Sequence, residues 1–175
     1  QKTTNGGDTW TKQYYETDLY DLEAIDENTM IAVGSSGRIM ATVDGGANWT
    51  TPSSGVSSNL YAVEVADQNT LYAGGYNGTI TKSTDGGLNW TAGTSLDGIT
   101  YIRDIHFFTS ETGFVFGGGY NTAKIFKTTN GGSSWTEITS PVQEEIDAAW
   151  FVDGSTGYAC GDDELIIKTT DGGDN

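Results

Sequence analysis

Hydrophobic and polar residues alternate along this chain in short runs, which are separated by clusters of Gly, Asn, Asp and Ser. One stretch contains four such runs in succession, "LYDLEAI" (19–25), "TMIAVG" (29–34), "RIMATV" (38–43) and "NWTTPS" (48–53). An alternation of period two predicts β-strands with one buried face, and the intervening clusters predict tight turns. The stretch therefore predicts four short antiparallel strands.

The same pattern of strands recurs along the whole chain. Trp10, Trp49, Trp90 and Trp135 are separated by 39, 41 and 45 residues, and a period of about 40 residues in a turn-rich sequence is typical of propeller blades. We predict an all-β fold, a single β-propeller domain or segment over 1–175 with four-stranded antiparallel blades. It is either a closed four-blade ring or, as we favour, a segment of a larger propeller. The predicted blades span 19–54, 60–95, 101–140 and 145–171, the last completed by 1–15.

A nearly identical turn occurs five times, as in "KSTDGGLNW" from Lys82 and "KTTNGGSSW" from Lys127. The two glycines supply backbone conformations that a Cβ disfavours. The Asp or Asn accepts bonds from nearby backbone N–H groups, and the Trp packs back onto the hairpin. We assign a structural role in these turns to Asn5, Trp10, Asp44, Trp49, Asp85, Trp90, Asn130, Trp135 and Asp171.

This S/T-x-D/N-G-G-x-x-W turn resembles the Asp-box, or bacterial neuraminidase repeat, of β-propellers. The resemblance implies that the turns lie at the rim of each blade, away from the ligand face. "GSSGRIMATVDGGANW" and "GYNGTITKSTDGGLNW" are similar to repeats of photosystem II stability and assembly factors and of related secreted bacterial proteins. An assembly factor of that kind would hold a membrane-protein segment through a basic patch. This chain has eight basic residues in total, which are few for such a patch. Sialidase resemblance implies three arginines, whereas the chain has Arg38 and Arg103, so sialidase activity is not expected.

The formal net charge of −16 argues against nucleic acid or anionic lipid as a partner. No apolar run is long enough to span a membrane, so membrane insertion is not expected. Cys160 is the sole cysteine, and its apolar setting predicts a buried, inert thiol. We predict no cofactor and no metal site. The resemblance to secreted proteins implies an extracellular or cell-surface location, with a signal peptide outside this chain.

The first strands of the repeats carry the candidate chemistry. Alignment places Glu23, Glu64, His106 and Trp150 in one column, with Asp21, Ala62, Asp104 and Ala148 two positions earlier. Both columns should approach the central channel. Some Asp-box propellers are glycoside hydrolases, which need two carboxylates across a cleft. The weak catalytic candidates are therefore Glu64, Asp104 and His106, and the alternative is that they line a solvated channel.

The turns at 35–37, 76–78, 120–122 and 162–164 should form the loop face. Tyr76 and Tyr120 occupy equivalent places and could stack on sugar rings or anchor a peptide. Asp162, Asp163 and Glu164 could bind a cation weakly or form a solvated turn. We predict a non-catalytic binding or scaffolding module of a bacterial secreted or cell-surface protein that contacts protein or glycan through this face. The alternative function is glycoside hydrolysis. The chain could also associate with further propeller blades or with a second copy of itself.

Overall fold

The computed structural model describes residues 1–12 and 17–173, which form four antiparallel sheets and a short hairpin. In every sheet the strands pair in chain order. Sheet 1 contains β1 (Leu19–Ala24), β2 (Met30–Gly34) and β3 (Ile39–Thr42), and sheet 2 contains β4 (Leu60–Val65), β5 (Leu71–Gly75), β6 (Ile80–Ser83) and β7 (Thr91–Ala92). Sheet 3 contains β8 (Tyr101–Phe107), β9 (Gly113–Gly119), β10 (Thr122–Thr128) and β11 (Thr136–Ile138). Sheet 4 contains β12 (Ile146–Phe151), β13 (Gly157–Gly161) and β14 (Leu165–Thr169). A bridge between Ala41 and Thr50 marks the fourth strand of sheet 1, and a single 3-10 turn spans Ser35–Gly37.

The sheets stack face to face, so that the core is divided among the gaps between them. Each sheet has a forward face, which contacts the next sheet, and a rear face, which contacts the preceding one. Between sheets 2 and 3, Tyr72 and Ile80 pack with Ile102 and Ile105. The second strands of sheets 2 and 3 are buried along their whole length, and each gap between neighbouring sheets contains its own apolar cluster. This arrangement confirms the predicted all-β propeller architecture of antiparallel blades.

The repeated turn uses its polar groups within itself. In the third copy, which belongs to sheet 2, Asp85 Oδ1 accepts the Asn89 backbone N–H at 2.8 Å, and the Ser83 hydroxyl donates to the same oxygen at 2.9 Å. Gly87 has a φ of +86°, which a side chain would strain. The Trp90 indole is buried and donates to the Gly87 carbonyl at 3.0 Å. These contacts all lie within the turn, and the structural role assigned to the repeated Asp, Asn and Trp residues stays a prediction.

The repeated turn also closes the gap to the preceding sheet. The Tyr72 hydroxyl and the Lys82 ammonium, both from sheet 2, donate to the Gly131 carbonyl of sheet 3, each at 2.8 Å. A Cβ on Gly132 would lie 2.9 Å from the Tyr72 ring. Lys127 donates in the same way to Gly172 of sheet 4, at 3.2 Å. Each of these turns therefore covers the forward face of the sheet before it.

Residues 1–12 form a hairpin beside sheet 1. Lys2 and Thr11 exchange two backbone hydrogen bonds, of 2.9 and 2.8 Å. The Lys2 ammonium contacts the Gly45 carbonyl, which is the contact that Lys82 makes with Gly131 two repeats further on. Completion of the fourth blade by 1–15 stays a prediction, because 13–16 lie outside the described residues.

The prediction of a buried Cys160 is wrong, because the thiol is exposed. Its strand alternates as predicted, but Cys160 points from the forward face of sheet 4, which is open to solvent. On the same face, 68% of Trp150 and 76% of Ile166 are exposed. Within residues 1–12 and 17–173 there is no helix long and apolar enough to cross a membrane.

Candidate functional site

A bulge interrupts the first strand of every sheet at the same position. The pairing of the first and second strands skips one residue between positions 19 and 21, 60 and 62, 102 and 104, and 146 and 148. A bulge leaves the extra residue outside the regular ladder and turns its side chain in a new direction. The four bulge residues are Tyr20, Tyr61, Arg103 and Asp147.

Three ring contacts connect two of the bulge residues, Tyr20 and Tyr61, with Tyr101 and Tyr76 in a continuous row. The ring centroids of Tyr20 and Tyr61 are 5.2 Å apart, and those of Tyr61 and Tyr101 are 5.9 Å apart. Tyr76, from the turn between β5 and β6, lies 5.7 Å from Tyr101 and forms a backbone bridge with it. Tyr20, Tyr61, Tyr76 and Tyr101 are called the aromatic row below. These distances are those of favourable edge and tilted ring contacts.

Arg103 places a cation against this row. Its guanidinium carbon lies 4.7 Å from the Tyr101 ring centroid and 5.9 Å from that of Tyr61. Nε and Nη2 donate to the two carboxylate oxygens of Glu145, at 3.1 and 3.2 Å. Asp147 lies 3.7 Å from Nε on the same side. The row therefore already combines aromatic faces and carboxylates around one guanidinium group.

The predicted ligand residues fall at the same end of the sheets, but they are not equivalent. Tyr76 belongs to the aromatic row, whereas Tyr120 is 94% exposed. The Asp162 N–H donates to the Glu145 carbonyl at 3.1 Å, which places the turn of Asp162, Asp163 and Glu164 beside the Arg103 pair. Burial and the nearby Asp162 carboxylate raise the pKa of Asp147. Within the described chain no group of three or more His, Cys, Asp or Glu side chains is arranged to hold a metal ion.

Tyr20, Tyr61, Tyr101, Arg103 and Asp147 were not predicted as site residues. All but Tyr101 stand just before the column of Asp21, Ala62, Asp104 and Ala148 in the first strands, a position that the predicted candidates do not include. A bulge changes the direction of that residue, and strict alternation places it on an ordinary strand face instead. The sequence feature that could have indicated the bulge position is the recurring "LY" of "LYDLEAI" and "LYAVEVA", which places a Tyr there in two blades.

The inner carboxylates form hydrogen bonds between neighbouring sheets. Asp21 Oδ2 accepts the Val63 N–H at 2.8 Å, and Asp104 Oδ2 accepts the Ala149 N–H at 2.7 Å. In sheet 2, where Ala62 replaces the Asp, Glu64 Oε1 accepts the Phe107 N–H at 2.7 Å. Three consecutive gaps are thus each crossed by one carboxylate bond.

Burial changes the protonation of these groups. It raises the pKa of Glu64 to about 8, with smaller contributions from the Glu23, Asp104 and Asp21 carboxylates, and it raises the pKa of Asp104 to about 6. Burial also lowers the pKa of His106, whose Nδ1 lies 3.7 Å from Glu64 Oε1. At neutral pH Glu64 is therefore mostly protonated and His106 neutral, so the two do not form a strong ion pair.

Four antiparallel blades stacked face to face give this chain a β-propeller fold. No family model and no curated protein matches its sequence. Solved structures do match: YCF48 from Cyanidioschyzon merolae has a TM-score of 0.72 at 16% identity, over 99% of this chain and 61% of that one. YCF48 bound to a D1 peptide has a TM-score of 0.65 at 18% identity, over 87% of this chain and 53% of that one. An ancestral GH74 enzyme has a TM-score of 0.70 at 19% identity, over 90% of this chain and 23% of that one. At these identities the similarity shows the fold, and this chain spans less than two thirds of each YCF48 chain.

Proposed function

We propose that this chain is a non-catalytic binding module of Asp-box type, part of a bacterial secreted or cell-surface protein, and that its ligand lies along the aromatic row. The observation that carries the proposal is the alignment of four bulged residues with Tyr76 and Tyr101 at one end of the sheets. Aromatic side chains at a surface provide large contact area at low cost in conformational entropy.

The charge of the site favours a basic peptide segment over a glycan. The chain carries a net charge of −16, Glu145 and Asp147 lie beside Arg103, and Asp162 contacts Glu145. Arg103 lies between tyrosine faces and carboxylates, and a guanidinium or ammonium group of a ligand could bind in a similar setting. A second cation on the exposed part of the row, at Tyr20 and Tyr76, would gain similar cation–π and Coulomb attraction. That a YCF48 structure holds a D1 peptide supports peptide binding by a propeller of this shape.

The alternative function is glycoside hydrolysis, and one observation favours it. The raised pKa of Glu64 is the property that a general acid needs at neutral pH. However, Glu64 and Asp104 each accept a backbone N–H of the next sheet at 2.7 Å. These bonds give both carboxyl groups a role in packing, and for that reason we place binding first.

Calorimetric titration with a short peptide of alternating Gly and Arg tests the proposal. We expect binding that weakens as salt is added, since the attraction is partly Coulombic. Tyr20→Ala should weaken it about tenfold, because a partly desolvated cation–π contact contributes roughly 1–2 kcal/mol. Tyr120→Ala is the matched control, since Tyr120 is exposed but has no ring neighbour in the row, and its affinity should equal that of the parent chain.

Other results would contradict specific parts of the proposal. Binding of a xyloglucan oligosaccharide that Tyr20→Ala weakens, with no peptide binding, would keep the row as the site but refute the basic ligand. Release of reducing sugar that Glu64→Gln abolishes would refute a non-catalytic role. Absence of binding by either probe would refute the assignment of the row as a binding site for these two ligand classes.

A further inference from the structure

Sheet 4 presents an uncovered apolar face. Apart from the bulge at Asp147, its strands alternate, so that the rear positions are buried or half-buried while most of the forward positions are exposed. The forward face carries Trp150, Val152, Tyr158, Cys160 and Ile166, of which the four larger side chains are exposed hydrophobics. An exposed apolar patch of this kind, on one flat side of a sheet, is typical of an interaction surface.

The repeat identifies what covers such a face. The residues equivalent to Tyr158 are Ile31, Tyr72 and Phe114, and each is almost completely buried. A Cβ on Gly87, Gly132 or Gly173 of the following turn would lie 2.5 to 2.9 Å from these three side chains, respectively. Lys168 is equivalent to Lys82 and Lys127, which both donate to a glycine carbonyl of that turn. The forward face of sheet 4 is therefore shaped for the rear face of another blade with the same turn.

The rear face of sheet 1 offers these features. Leu19 and Leu22 are exposed there, and together with Met30, Ala32, Met40 and Trp49 they line a groove of about 450 Å³ between sheet 1 and the hairpin of residues 1–12. In this groove the Lys2 ammonium of the hairpin contacts the Gly45 carbonyl. By equivalence, Lys168 of an incoming sheet 4 would take over the Gly45 carbonyl, and Tyr158 would lie against Gly46.

We propose that a second copy of this chain binds here, with the forward face of sheet 4 in one copy on the rear face of sheet 1 in the other. Each copy has one face of each kind, so that two copies can form both contacts at once and close an eight-blade ring. In this dimer the first four residues of each copy move away from Gly45, and Lys168 of the other copy binds the Gly45 carbonyl instead. No further blade type is needed, because both surfaces belong to the same repeat.

The contact predicts a specific disulfide. Cys160 is equivalent to Gly74 of sheet 2, where an added Cβ would lie 2.6 Å from Ile102 Cγ2. Because Cγ2 is one bond from Cβ, the two Cβ atoms at such a contact lie within about 4 Å, the separation that a disulfide needs. Ile102 is equivalent to Leu19. The variant Leu19→Cys should therefore form a disulfide between Cys160 of one copy and residue 19 of the other.

Non-reducing electrophoresis of the oxidised Leu19→Cys chain is the test. We expect a covalent dimer with no free thiol, and light scattering of the unmodified chain at about 20 µM should give twice 18.6 kDa. The control is Leu88→Cys, since Leu88 is 60% exposed but lies on the repeated turn of sheet 2; it should give no such dimer. A monomer with an internal disulfide would overturn the proposal, because the four blades would then close on themselves. A monomer that keeps both thiols free would overturn it as well.

A second pair of variants keeps the proposal testable if Leu19→Cys does not fold. Ile166→Asp places a charge on the forward face, where 76% of Ile166 is exposed in a single copy, so that folding of one copy should not suffer. It should halve the mass measured by light scattering, whereas Leu88→Asp should leave the mass unchanged. Equal masses for the two variants would refute the contact.

Discussion

Replacing Glu64 by Gln should stabilise the protein at alkaline pH and have little effect at acidic pH. Glu64 Oε1 accepts the Phe107 N–H at 2.7 Å, and a Gln side-chain oxygen can accept the same bond. The side chain is 16% exposed, and the Asp21, Glu23 and Asp104 carboxylates act on it unfavourably. The His106 ring lies close to the Glu64 carboxyl group, but it is neutral because burial lowers its pKa. A negative charge at this position is therefore poorly compensated.

The magnitude follows from the pKa of Glu64, which is 4.5 ordinarily and about 8 in the folded chain. Because the folded-state pKa is raised, this group stabilises the fold below pH 4.5, and the stabilisation is lost as the pH rises through 8. One pKa unit corresponds to about 1.4 kcal/mol, so roughly 4 kcal/mol of unfolding free energy should be lost between pH 5 and pH 9. That is a large part of the ~5–15 kcal/mol typical of a domain. Gln does not titrate and avoids this loss.

Urea unfolding of the parent and of Glu64→Gln at pH 5, 7 and 9 measures the effect. The difference in unfolding free energy should grow with pH in favour of the variant. Asp104, whose pKa is raised to about 6, is present in both proteins, so most of its own contribution cancels. Glu137→Gln is the control, because Glu137 is exposed in β11. A difference that stays constant from pH 5 to pH 9 would refute the claim that ionised Glu64 is poorly tolerated.

Three further predictions concern the repeated turn. Asp85→Ala should lower the thermal midpoint without changing peptide affinity, because Asp85 bonds only within its turn in the contacts described above; a loss of affinity at an unchanged midpoint would contradict this. Tyr72→Phe should cost about 1 kcal/mol in urea unfolding, since it removes the 2.8 Å bond to Gly131; an unchanged midpoint would show that this bond adds no net stability. Gly132→Ala should destabilise more than Gly7→Ala in the same assay, because both have positive φ but only the first Cβ would meet the Tyr72 ring; equal losses would show that backbone strain alone decides.

The architecture was predictable because it is repeated. A turn such as "TDGG" combines residues that permit positive φ with a side chain that accepts backbone bonds, and its recurrence about every 40 residues gives the blade length directly. Alternation within the strands gives their two faces. The exposure of Cys160 was not predictable in this way, because alternation identifies a face but does not reveal whether another sheet covers it.

The candidate site was only partly predictable. Tyr76 could be identified as a turn residue, but its contact with Tyr101 depends on a backbone bridge between two sheets. Glu64 and Asp104 could be placed near the channel, yet their bonds to Phe107 and Ala149 depend on how one sheet stacks on the next. Contacts between blades are long-range in sequence, and a repeat pattern specifies the units better than it specifies their contacts.

The distribution of variation among the blades supports separate roles for the two ends of each sheet. At the turn end the same residues return with few changes, and their side chains bond within the turn or to the neighbouring sheet. At the bulge end the same backbone irregularity returns, but the residue it displays changes from Tyr to Tyr to Arg to Asp. A constant backbone device with changing side chains is what a binding surface needs, because it fixes where the groups point and leaves their chemistry free. The four bulge residues present two aromatic rings, a cation and a carboxylate in that order, so a ligand that binds at the proposed site should do so in one orientation.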